Sequence, residues 1–149
     1  MRSGTNLLAA VACAALYLLV RGVWGRLTAC YAVGALLLMP RVFADCHLAA
    51  LDAPVMAMGL LAVLAARWAC VAAAAEPTEA WWHRWRRFAV AGALWGVASG
   101  TKLNGMFVPF IVFPWGLVAA RRGLWRLAVG YAVMGPLAFF ATWPWLWHD

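Results

Sequence analysis

The chain has 149 residues, 67% of them apolar and 11% charged, against about 45–50% apolar and about 25% charged in a typical soluble domain. Its 12 Lys and Arg outnumber its 5 Asp and Glu, for a net charge of +7, and mean hydropathy is +0.83. These totals exclude a disordered chain, a disulfide scaffold and a nucleic-acid-binding domain, because the basic residues fall between long apolar runs and form no patch.

A helix that crosses the hydrocarbon core needs about 20 apolar residues. The sequence predicts about six spans, in chain order 6–20, 27–43, 48–66 (running on towards 75), 88–101, 103–120 and 124–143. None of the runs alternates apolar with polar residues, so helix is favoured over barrel strand. The expected architecture is all-α, a polytopic transmembrane helix bundle forming a single domain over residues 1–149. The first run, beginning at Met1, lacks a small-residue cleavage site before Arg21-Gly22 and reads as a retained span rather than a signal peptide. The segment 76–88 reads as a loop, with Trp81, Trp82 and Trp85 interleaved among Arg84, Arg86 and Arg87 as an interfacial anchor. Trp143, Trp145 and Trp147 form a second aromatic belt near the end of the chain. Cys13, Cys30, Cys46 and Cys70 form no CxxC and read as buried, inert thiols.

Orientation follows from the cations. Arg21, Arg26, Arg84, Arg86, Arg87, Arg121, Arg122 and Arg126 fall in the first, third and fifth connections. Arg2, Arg41 and Lys102 fall on the opposite side, and Arg67 lies near the inner end of its span. The positive-inside rule puts the larger set in the cytoplasm and both termini outside. The rare polar residues then gather on the outer face: Arg41, Asp45, His47 and Asp52 around the second and third spans, Lys102 and Asn104 between the fourth and fifth, and His148 and Asp149 at the end. Ionisable groups at membrane depth are costly and mark function by default.

Each has a plainer reading. Asp52, before Ala53-Pro54, suits a helix N-cap. Asp45 and His47 are also explained by loop solvation, and Arg41 by snorkelling to the headgroups. Lys102, in Gly100-Thr101-Lys102-Leu103-Asn104-Gly105, occupies a turn between apolar spans with almost no exposed length. A lysine there, flanked by glycines that let backbone approach, suits an anionic group such as a lipid-linked phosphate. The sequence has no Walker A, GxSxG or HExxH pattern.

Three stretches resemble glycosyltransferase family 39, membrane enzymes of the GT-C type that include protein O-mannosyltransferases and lipid A aminoarabinose transferases. They are the segment from Arg41 through Asp45 and Asp52 to Pro54, the Gly92/Gly96 span ending in Ser99-Gly100-Thr101-Lys102-Leu103-Asn104-Gly105, and the closing Pro144-Trp145-Leu146-Trp147-His148-Asp149. The resemblance implies transfer of a sugar, with inversion, from a polyprenyl-phosphate donor to a protein or lipid acceptor at the outer face of a bacterial plasma membrane. By position it implies Asp52 and Asp45 as catalytic carboxylates, Lys102 and Arg41 on the donor phosphate, and His47 and Asn104 lining the cavity. It implies no certain cofactor; a divalent metal ion is one option for balancing the phosphate charge. The family places its principal acidic residue after its first span, whereas no acidic residue here precedes Asp45. The expectation is therefore an internal piece of a longer enzyme, inactive alone. A transporter or a structural membrane subunit is the competing class.

Overall fold

The computed structural model describes residues 2–40, 42, 52–75 and 80–143. Arg2–Leu38 form α1, Asp52–Ala75 α2, Trp81–Thr101 α3, Val108–Ala119 α4 and Arg121–Thr142 α5, with a 3₁₀ segment Leu103–Phe107 between α3 and α4. The described residues contain no strand, as an all-α bundle requires.

The first two expected spans are one helix broken at Gly25, where φ is 85° and ψ 179°. Only glycine adopts that backbone cheaply. The freed carbonyls find partners nearby: Arg67 on α2 donates to the Gly22 oxygen at 3.0 Å, and Thr28 Oγ1 to that of Trp24 at 3.1 Å.

At about 1.5 Å per residue α2, α3 and α5 are each long enough for a core about 30 Å thick. Among the described residues, three helices are long and apolar enough to cross a membrane, within α1, α2 and α5. The α3 helix carries three arginines in its first two turns, and α4 has only 12 residues. The 3₁₀ segment compensates for that shortness. Its five residues rise about 2.0 Å each, so Leu103–Ala119 reaches about 28 Å where an α-helix of equal length would reach about 26 Å.

The structure corrects the expected loop at 76–88: residues 81–88 are the first turns of α3. Tertiary contacts recruit them into the helix. The Arg87 guanidinium lies 5.1 Å from the Trp68 ring centroid on α2, and Trp85 meets Trp125 of α5 edge-on at 5.5 Å.

The α3 and α5 helices lie parallel and almost without side chains between them. A Cβ on Gly92 would strike the carbonyl oxygen of Gly130, one on Gly96 that of Gly135, and one on Gly100 would stand 2.7 Å from Thr142 Oγ1. Glycine every fourth residue puts all three on one face. The core around this seam holds Ala62, Ala65, Ala66, Ala69 and Cys70 of α2, with Phe88, Val112, Leu127 and Tyr131 from the other helices. The α2 positions follow the i, i+3, i+4, i+7 rule, so its alanine face is what packs. Large apolar side chains cover the outside, including Leu27, Tyr31, Leu38, Phe110 and Val118, as lipid contact demands and water would penalise. Cys70 is buried, Cys13 half-buried and Cys30 exposed, and none of the three is in a disulfide. The exposure of Cys30 departs from the expected burial, because the adjacent Ala29, fully buried, takes the inward face of α1 at this turn.

Candidate functional site

Helix ends that belong together in the sequence reading meet in space. Gly100, near the end of α3, touches Thr142, at the end of α5, and a Cβ on Gly59, two turns into α2, would meet the Val108 side chain at the start of α4 at 3.7 Å. The starts of α2 and α4 and the ends of α3 and α5 therefore share one end of the bundle. At the other end Gly123 packs on Cys70 and Phe88, and Arg67 reaches Gly22.

The first end is built around Lys102. Thr101 Oγ1 donates to the Ala98 oxygen at 2.7 Å, which the Lys102 N–H also reaches at 3.4 Å, and Ser99 Oγ bonds back one turn to the Trp95 oxygen at 3.0 Å. Lys102 then leaves the helix in an extended conformation, φ −160° and ψ 140°. The chain turns back at once: the Gly105 N–H donates to the Lys102 carbonyl at 2.8 Å. Gly105 lies directly on the backbone of Ala98 and Ser99, so a Cβ there would collide with it. Trp95 Nε1–H donates to the Gly105 oxygen at 3.1 Å, while its ring stacks on Tyr131 at 5.0 Å and fills the space over Gly135. Lys102 is thus half-buried on a turn fixed from three sides, with Asn104 exposed two residues on.

Beside this turn runs an apolar groove of about 220 Å³, walled by Trp95, Ser99, Met106, Pro136, Phe139 and Phe140. Ser99 and Met106 flank the Lys102 turn in sequence, so the turn joins two of the groove's walls.

The other sequence-predicted residues fare differently. Asp52 is the first residue of α2, which places it at the Lys102 end of the bundle. Arg41, Asp45, His47, His148 and Asp149 lie outside the described residues. Among the described residues there is no group of three or more His, Cys, Asp or Glu able to hold a metal ion. The structure brings together Lys102 and Asn104 with Ser99, Thr101 and Thr142. Trp95 is the residue that sequence reading missed. Its signal was a tryptophan inside an apolar run, between Gly92, Gly96 and Gly105, away from the interfacial belts.

A bundle of apolar helices with polar residues around a cationic turn at one end defines a polytopic membrane protein with a candidate site at that end. Residues 1–148 match the family described as dolichyl-phosphate-mannose-protein mannosyltransferase. The chain belongs to that family, whose members are membrane glycosyltransferases of the GT-C kind. No curated protein and no solved structure matches it.

Proposed function

We propose that this chain serves sugar transfer from a polyprenyl-phosphate-linked donor to an acceptor at the outer membrane face, with Lys102 countering the donor phosphate. The observation that carries the reading is Lys102, half-buried on a tightly held turn that joins two residues, Ser99 and Met106, walling an apolar groove. A phosphate joined to an isoprenoid chain has the same two parts, an anion and an apolar tail. As the glycosyl bond to the phosphate breaks, negative charge grows on the phosphate oxygens, and a cation already in position stabilises that change without reorganising. Asn104 offers amide donors close by. An acidic side chain at the start of α2 or in the segment before it, Asp52 or Asp45, takes the acceptor proton as general base. Arg41 adds a second cation on the phosphate, and His47 lines the cavity.

Transfer is measured with the complete gene product in membranes, using a radiolabelled polyprenyl-phosphate sugar. Lys102→Ala is expected to lower the rate by about 10²-fold, and Lys102→Arg to recover part of it. Unchanged transfer in Lys102→Ala would remove the assigned role.

A further inference from the structure

We propose that the opposite, basic end of the bundle binds an anionic phospholipid, with one acyl chain in a groove between α3 and α5 and the phosphate among the arginines that open both helices. The inference does not depend on the sugar-transfer reading.

The groove, of about 420 Å³, is lined by Trp82, Trp85, Arg86, Ala89, Gly130 and Val133, among others. Ala89 and Gly130 leave the trough between the two helices, and Val133 continues it towards the bundle's middle. Arg86 and the tryptophans stand at its mouth, in the first two turns of α3. An acyl chain fits such walls, and indoles favour the depth of the headgroups.

The electrostatics favour an anion at the mouth. The first turns of α3 and α5 contain no acidic residue, and neither N-cap, Ala80 or Ala120, makes a side-chain hydrogen bond. Helix starts carry partial positive charge from their unpaired N–H groups and are stabilised by anions. Here they carry cations: Arg84, Arg86 and Arg87 on α3, and Arg121, Arg122 and Arg126 on α5. Because the helices are parallel and in contact, both positive ends face the same place, as the 5.5 Å Trp85–Trp125 contact records. Glu76 and Glu79, in the connection before α3, lie outside the described residues and by count offset two of these six charges. A phosphodiester headgroup complements this positive end, and the positive-inside rule puts it in the leaflet richest in anionic lipid.

The test uses the full chain in nanodiscs of phosphatidylcholine doped with phosphatidylglycerol, with retained lipid counted by native mass spectrometry after transfer to detergent. Phosphatidylglycerol is expected to remain bound and to raise the melting temperature, while phosphatidylcholine does neither. The double variant Arg86→Gln/Arg122→Gln is expected to retain about tenfold less phosphatidylglycerol. Val133→Trp, which fills the groove and leaves the charges, is expected to do likewise with unchanged helical circular dichroism. Lys102→Ala, at the far end, is expected to retain lipid as the parent does. Equal retention of the two lipids, or full retention in both groove variants, would overturn the proposal. So would equal stabilisation by glycerol 3-phosphate, which would assign the arginines to a free anion.

Discussion

A methyl group at Gly92 would sit on the carbonyl oxygen of Gly130, which belongs to a helix backbone and cannot swing aside. Gly92→Val is therefore expected to cost about 3 kcal/mol, the upper range for overpacking, read as a lower unfolding midpoint in mild detergent. Gly34→Ala makes the contrast, since a Cβ there meets nothing within 4 Å. That substitution is expected to stabilise by about 0.5–1 kcal/mol, because alanine gives up less backbone entropy in a helix. Trp95→Phe keeps the ring over Gly135 but removes the 3.1 Å hydrogen bond to Gly105. It is expected to leave the unfolding midpoint within about 1 kcal/mol of the parent, and to weaken transfer about tenfold through a raised donor KM as the Lys102 turn loosens. The glycine spacing at 92 and 96 was visible in the sequence as a packing face, but its partner was not. Nothing in the order of residues says that Gly92 meets Gly130 rather than a glycine in α1; the register follows from the parallel run of α3 and α5. Trp95 escaped notice for a related reason, since its two polar and aromatic partners lie ten and thirty-six residues further along the chain.

At the level of elements, the apolar runs marked each helix, and they misplaced one beginning. Residues 81–88 were read from composition as an interfacial loop, yet they contain no glycine or proline and pack on Trp68 and Trp125. Tertiary contact decided what composition left open. The break in α1 was expected as a gap between spans and is a single residue, Gly25. Gly25→Ala is expected to cost about 1–3 kcal/mol if the break is kept, or to straighten the helix if it is not. Spin labels on Cys13 and Cys30, in a chain whose other cysteines are replaced by serine, distinguish the two. A continuous helix would hold these backbone positions about 25 Å apart, and the broken parent is expected to give a shorter distance.

For the molecule as a whole, the two ends have different chemistry. One collects hydroxyls, Lys102 and the start of α2; the other collects arginines and indoles. The sequence showed this division through charge counting alone, because parity of the spans forces alternate connections to the same side. It could not show which outer residues touch, and Arg41, Asp45 and His47 lie outside the described residues. Orientation is read by cysteine labelling in a chain otherwise free of cysteine. Lys102→Cys is expected to react with a membrane-impermeant maleimide from outside the cell, and Arg122→Cys only after permeabilisation. The reverse pattern would put the Lys102 turn on the cytoplasmic side.

The bundle's shortest helix, α4, lies in the chain between its two most closely fitted ones. During synthesis α4 is made after α3 and before α5, at a time when the seam between α3 and α5 does not yet exist. Its earliest companion is the preceding helix, to which it is tied by the Gly105 contact on Ala98 and by the Trp95 hydrogen bond. Those ties hold α3, the 3₁₀ segment and α4 together as a hairpin with Lys102 at its tip. The bond that steadies the turn in the finished protein joins residues that are both in place before α5 is made.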